Sequence, residues 1–340
     1  MRIGFNPHKD KKELLSGYWH QIIVPVYLPS EGDYFKDGLT ILKLCLESLI
    51  KTVHSHTFIT VINNGSSQQV ADYLENLFRE KQIHELTHTT NIGKLNSILK
   101  GLSGGNFDFV TIADADVLFL NGWQQAAYDI FLAFPKAGAV CPTPSSKSFR
   151  ENTANIWGSL MFSSKLSFRP VADPEGLKAF AHSIGNPGFY NEEHLKKYLT
   201  VKNAKSEAVI GAGHFVTTYR GDIFSKLNTR FTPYKLGGKS ENQILDLPVV
   251  GQGFWRLSTK YNYAFHMGNV FEPWMHDAFT QVDRQQAEVW PVMLSSKPYK
   301  GLMYHTKYDL LVWLLRRKSI IRKLLPFKGL ERQNTQKYLS

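Results

Sequence analysis

The sequence predicts an α/β protein: a mostly parallel sheet with helices on both faces. Two observations carry this. From residue 21 to about 145, short apolar runs alternate with longer segments of helical spacing. Most of those runs are nearly unbroken and end in turn-forming residues, as in strands buried on both faces. Strands alternating with helices of such length imply right-handed βαβ units.

Taken in order, "QIIVPVY" (21–27) reads as a strand and "GLTILKLCLESLIKTV" (38–53) as a helix with one apolar face. "TFITVINNG" (57–65) is a second strand ending in turn residues, followed by a helix over "VADYLENLFREKQ" (70–82). "HELTHT" is a weaker third strand that leads through "NIGK" into the helix "KLNSILKGL". "FDFVTIA" (107–113) is a strand, "GWQQAAYDIFLAF" a helix and "AGAVCP" a strand. After about residue 145 the rhythm breaks into Ser, Asn, Pro and Gly, then resumes in shorter elements at "GHFVTTYRGDIFSKL" and "YNYAFHMGN". We divide the chain into an N-terminal extension (1–20), a nucleotide-type half (21–145), a second half of the same domain that closes the site (146–305) and a basic C-terminal segment (306–340).

A chain of 340 residues, 43% hydrophobic, can bury a large core. Its 40 Lys and Arg against 29 Asp and Glu give a net charge of +11, which favours an anionic partner without choosing among nucleic acid, phosphorylated substrate and acidic lipid. Cys45 and Cys141 sit in apolar stretches and read as core residues of a reducing compartment. Neither a signal peptide nor a spanning run is evident, so the expected location is cytoplasmic, with peripheral attachment to the inner face of the cell membrane as an option.

Asp114 and Asp116 in "TIADADVLFL" interrupt a run that otherwise reads as buried strand. Burying carboxylates without partners costs several kcal/mol. In an open α/β sheet, ligands bind beyond the carboxyl ends of the strands, where this pair falls. Carboxylates at i and i+2 on a turning backbone can converge on one hard cation, Mg²⁺ or Mn²⁺, that also binds diphosphate oxygens. The alternative is a turn, or a cap for the helix that begins near Trp123.

The stretches "VPVYLPS", "VINNGSS", "NIGKLNSILKGL" and "TIADADVLFL", in this order and spacing, resemble the donor-binding half of family-two glycosyltransferases with the A-type (GT-A), Rossmann-like nucleotide-sugar fold. The resemblance covers about residues 20 to 145. It implies a metal-dependent glycosyltransferase that moves a sugar from a nucleoside-diphosphate donor to a glycan or lipid-linked acceptor, in surface polysaccharide biosynthesis. Pro25 and Tyr27 would hold the nucleobase, although Tyr27 could equally be a core residue. Asn63 and Asn64 stand where the family usually has an acidic residue for the base or ribose, and the same stretch has the composition of a simple turn. Gly93 would let the chain approach the diphosphate, with Lys94 as a cation beside it and Asp114 and Asp116 holding the metal.

A-type enzymes often take a third metal ligand from a late histidine. His266, after an apolar strand, fits that place or a structural one. An inverting transfer needs a base, commonly in a Glu-Asp pair before a helix. "GGKSENQILDL" keeps Glu241, has Asn242 where the Asp is expected, and offers Asp246 further on. Glu241 could instead cap the helix with Ser240. Trp255, Trp274 and Tyr219 could wall a sugar ring, or be core.

Between Lys307 and Lys328, seven basic residues and one acid are mixed with apolar residues that fall largely on one helical face, Arg317 intruding. Such a helix suits an anionic membrane surface, or docks on the domain with a solvated basic rim. Rival readings are weaker. A sugar nucleotidyltransferase would show a Gly-rich loop after the first strand, a dehydrogenase a G-x-G-x-x-G, and a nucleic-acid-binding protein a recognisable module.

Overall fold

The structure, a computed structural model, describes residues 4–7, 9–11, 17–227, 229–285, 293–294, 300–301 and 303–340. Residues 1–3, 8 and 12–16 of the expected 1–20 extension therefore lie outside the described residues.

The expected strands of the first half form with ends shifted by one or two residues: β1 (His20–Val26), β2 (Thr57–Asn64), β3 (Glu85–Thr89), β4 (Phe109–Ala113) and, further on, β6 (Ala137–Cys141). Between β4 and β6 lies a short strand, β5 (Val117–Phe119). β1, β2, β3 and β4 are parallel neighbours in the order β3-β2-β1-β4. Their side chains alternate between faces. Ile22, Val24 and Val26 meet the helices Gly38–Thr52 and Gln68–Arg79 on one side, whereas Ile23 and Ile62 meet Leu95 and Ile98 of helix Lys94–Gly101 on the other. β1, β2 and β4 are thus buried on both faces, which explains their apolar runs, whereas the edge strand β3 is only partly buried.

The second half extends the sheet with β7 (Leu166–Pro170), β8 (Lys197–Lys202), β9 (Glu207–Ile210), β10 (Val216–Arg220) and β11 (Trp255–Ser258), giving ten strands in the order β3-β2-β1-β4-β10-β6-β11-β9-β8-β7. β10 runs antiparallel between β4 and β6, its first residue Val216 opposite the last of β4, Ala113. A separate two-stranded ladder pairs β5 with β12 (Ala264–His266), setting His266 opposite Val117. Both pairings carry the second half to the edge where β4 ends.

The basic segment is two helices. Tyr304–Arg316 and Lys318–Phe327 are separated by Arg317, whose backbone is extended. Leu315, Ile321, Leu325, Leu330 and Tyr338 are buried in the core that also contains Trp157, Phe168 and Leu257. Leu310, Trp313 and Phe327 stay exposed. Among the described residues, no helix is long and apolar enough to cross a membrane. Both cysteines are free and buried.

Candidate active site

The carboxyl ends of β1, β2 and β4 open onto one cavity of about 390 Å³, lined by Pro25, Tyr27, Asn64, Gly93, Lys94, Asp114 and Asp116. Seven residues singled out from scattered motifs thus share one wall. A second cavity of about 340 Å³ lies beyond it, lined in part by Glu241 and His266 and by the aromatic rings of Phe180, Phe189, Tyr190 and Phe215. Lys94 and Asp114 line both cavities, so their side chains stand at the boundary.

Local chemistry explains each placement. β4 ends at Ala113, and the Asp114 amide donates to the Phe215 carbonyl (2.7 Å), which ties the turn to the start of β10. Lys94 opens its helix and places Nζ 2.7 Å from Asp114 Oδ1 and 3.0 Å from Glu241 Oε1. Burial opposes the charge on Lys94, but the two carboxylates outweigh it and hold the ammonium above its ordinary pKa. Gly93 has φ +91°, and a Cβ there would lie 2.7 Å from Lys235 Cα. The glycine thus allows contact with the 235 loop as well as forming part of the cavity wall.

Asp116 is drawn to His266 by the β5–β12 ladder. Asp116 Oδ2 lies 3.3 Å from His266 Nε2, while Nδ1 of the same ring meets Ser183 Oγ at 2.9 Å. Burial pushes the Asp116 carboxyl up to about 6, His266 pulling the other way. Its Oδ1 is buried without a hydrogen-bond partner among the described residues. An unsatisfied buried carboxylate oxygen beside a cavity is a position that a cation would satisfy. No cluster of three His, Cys, Asp or Glu among the described residues encloses a metal ion by itself. Two carboxylates with an open side fit an ion whose remaining ligands are waters or phosphate oxygens.

Other expected residues do different work. Asn64 Oδ1 accepts from the Ile92 amide (2.9 Å), so the side chain that faces the cavity also braces the 91–93 loop. Asn63 lines neither cavity: its amide meets His88 Nδ1 (2.9 Å) and its Oδ1 accepts from the Ser66 amide, which makes it a turn residue. Asp246 also lines neither. It is 2% exposed, with Arg256 Nη2 at 2.7 Å from Oδ1 and His214 Nε2 at 2.9 Å from both oxygens. Of the two carboxylates, only Glu241 faces a cavity. Of the two readings left open for Trp255, Trp274 and Tyr219, a sugar wall or core, the structure favours packing. Tyr219 and Trp255 are buried in the core, and Trp274 packs edge-on to Phe265 with its indole N–H on Glu272. The Phe and Tyr rings that line the second cavity are those of Phe180, Phe189, Tyr190, Phe215 and Phe265.

His214 was not anticipated. It lies two residues before β10, faces the second cavity and puts Nδ1 4.0 Å from Glu241 Oε2. The available signal was the histidine before "FVTTY", but only the antiparallel direction of β10 places it at the active edge.

A parallel α/β core whose strand ends present an aspartate pair and a lysine to one cavity has the architecture of an α/β enzyme that binds its ligand at the carboxyl edge of the sheet. Residues 22–199 match the model of glycosyl transferase family 2, and the chain belongs to that family. It is a glycosyltransferase. No curated protein matches the chain. Among solved structures, S. aureus TarS 1–349 in complex with UDP-GlcNAc is similar at 12% identity over 94% of this chain and 70% of that one, with a TM-score of 0.43. The mannosyltransferase PcManGT from Pyrobaculum calidifontis, in complex with GDP-Man and Mn²⁺, is similar at 13% identity over 94% of this chain and 69% of that one, with a TM-score of 0.41.

Proposed function

We propose that the enzyme transfers a sugar from a nucleoside-diphosphate donor, with a divalent ion (Mn²⁺ or Mg²⁺), to a hydroxyl of a glycan or glycolipid in surface polysaccharide biosynthesis. The observation that carries this reading is the joining of two cavities at one Lys94–Asp114 pair, 2.7 Å apart. The donor nucleotide occupies the first cavity, where Tyr27 offers a ring face to the base and Gly93 and Lys94 lie near the diphosphate. Asp114 and Asp116 would hold the ion, with waters and phosphate oxygens as its remaining ligands, and His266 stands beside Asp116 at 3.3 Å. When bound, the ion supplies Lewis-acid stabilisation of the charge that develops on the departing diphosphate. Lys94 adds a fixed positive charge at the same place.

The acceptor occupies the second cavity. Rings of Phe180, Phe189, Tyr190 and Phe215 suit the apolar face of a sugar, and the nearby carboxylates suit its hydroxyls. The enzyme works in the cytoplasm, and the exposed Trp313, Arg322 and Lys323 of the C-terminal helices hold it to anionic lipid near a lipid-linked acceptor.

The test is a thermal-shift screen against UDP, GDP, CDP and dTDP, each with and without Mn²⁺. One nucleotide should stabilise the protein only with the metal, and Asp116→Ala should abolish that shift while leaving the metal-free melting temperature within a few degrees. A shift unchanged in Asp116→Ala would sink the metal assignment. No shift with any nucleotide would sink the donor site.

A further inference from the structure

Asp246 cannot meet a substrate hydroxyl. Its carboxylate takes Arg256 Nη2 at 2.7 Å, His214 Nε2 at 2.9 Å from each oxygen and Asn152 Nδ2 at 3.2 Å, all at 2% exposure. What it can do is orient His214. A carboxylate only accepts hydrogen bonds, so the imidazole nitrogen facing it carries the proton and, in the neutral ring, Nδ1 keeps its lone pair. Arg256 also donates to the Ala212 carbonyl at 2.8 Å, fixing the backbone two residues before the histidine. Asp246, Arg256 and the start of β10 together hold one ring in one tautomer.

The free nitrogen is on the active side. The His214 side chain is 32% exposed and lines the acceptor cavity with Lys94, Asp114 and Glu241. Its Nδ1 lies 4.0 Å from Glu241 Oε2, too far for a hydrogen bond and near enough to stabilise an imidazolium. Glu241 itself has Oε1 engaged by the Lys94 ammonium at 3.0 Å. The groups facing His214 are therefore Asp246 and Glu241, with Arg256 and Lys94 behind them and Tyr190 and His266 elsewhere on the cavity wall.

We propose that His214, oriented by Asp246, is the general base for the acceptor; the inference rests on the donor and acceptor cavities assigned above. The acceptor O–H bond breaks and its proton passes to Nδ1. The oxygen forms its bond to the anomeric carbon as the carbon–phosphate-oxygen bond breaks, and the electron pair leaves with the nucleoside diphosphate. The imidazolium is balanced by Asp246 and Glu241 and gives its proton to water after release. His214 is the catalytic residue of this step and Asp246 a positioning residue. The pair supplies the base that Asn242, standing where an aspartate is expected, cannot.

The experiment uses the full chain with UDP-GlcNAc, UDP-glucose and GDP-mannose, water as acceptor, and release of nucleoside diphosphate followed from pH 5 to 9. His214→Asn should keep the wild-type nucleotide shift, lose about 100-fold in kcat and recover part of it with added imidazole. The acidic limb of the wild-type profile should vanish in that variant. Asp246→Asn, which can turn an amide donor toward Nε2, should lose a similar factor without imidazole rescue. Glu241→Gln should keep the limb. If His214→Asn retains wild-type kcat, or Glu241→Gln removes the limb while His214→Asn keeps it, the assignment is wrong although the nucleotide shift stands. A wild-type chain with no nucleotide shift or no release overturns the donor reading, and this proposal with it.

Discussion

Lys94 Nζ lies 2.7 Å from Asp114 Oδ1 and 3.0 Å from Glu241 Oε1, so a single ammonium joins the carboxylate at the end of β4 to the one on the second cavity. Removing it as Lys94→Met leaves both carboxylates without their counter-ion. Breaking a fully buried pair costs about 3–5 kcal/mol, and side chains with some solvent contact should lose less, about 1–3 kcal/mol. Urea unfolding in EDTA at pH 7.5 measures it. Transfer should fall at least tenfold, since the fixed charge beside the leaving group goes too. An unchanged midpoint would show that the ion pair is only a surface contact.

Arg256 and Asp246 form a more deeply buried pair, their side chains 1% and 3% exposed. Asp246→Ala should therefore cost about 3–5 kcal/mol, because it strands a guanidinium in the core. Adding Arg256→Met in the same chain should recover more than half of that loss. A double variant no more stable than Asp246→Ala would mean that the remaining damage comes from the cavity and not from the unpaired charge.

These two pairs show what was legible in the sequence. β1, β2 and β4 could be read because they are buried on both faces and so are largely apolar, as "IIVPV" and "FVTIA" are, whereas the edge strand β3, "ELTHT", is only partly buried and reads more weakly. Asp114 and Asp116 border such a run, whereas Lys94, at the start of its helix, was legible only through the resemblance. β7, β8 and β9 could not be read: "LSFRP" and "EAVI" are short members of antiparallel ladders, with weak alternation. Asp246 drew attention as a carboxylate, but nothing in its spacing announces Arg256, which meets it only through β11. His214 was missed because the sense of β10 decides which end of that strand reaches the active edge. The single amphipathic helix expected over 307–328 is broken where Arg317 intruded on the apolar face.

The buried histidines set an acid limit on stability. His54 and His194 are each held down to about 4, chiefly by burial. Both accept a hydrogen bond at Nδ1, from the His56 and Asn191 amides, which requires the neutral ring. Their folded pKa values lie below the unfolded value of about 6.5, so the unfolded chain binds more protons between the two. The stabilising contribution is therefore present above pH 6.5 and is lost as pH falls towards 4, by at most about 1.4 kcal/mol per pH unit for each histidine. Denaturant unfolding at pH 7.5 and 5.0 should show the drop, and His194→Gln should reduce it. Equal losses in the variant and the wild type would remove His194 from the account.

The C-terminal helices call for two kinds of substitution, because they have two faces. Leu325 is fully buried among the core residues, so Leu325→Ala should cost about 2–5 kcal/mol, and deletion from residue 307 would unfold the domain before it reported on membranes. The outer face is the informative one. Arg322 and Lys323 are exposed, and Arg317 stacks on the exposed Trp313 ring at 4.5 Å. Reversing Arg322 and Lys323 to Glu should leave the melting temperature within about 2 °C, as surface changes usually do. Each basic residue near an anionic surface contributes about 1 kcal/mol, so two reversals should weaken sedimentation with phosphatidylserine vesicles by at least tenfold. Equal sedimentation of both proteins would leave these helices as a docked flank of the core, with a solvated basic rim and no lipid partner.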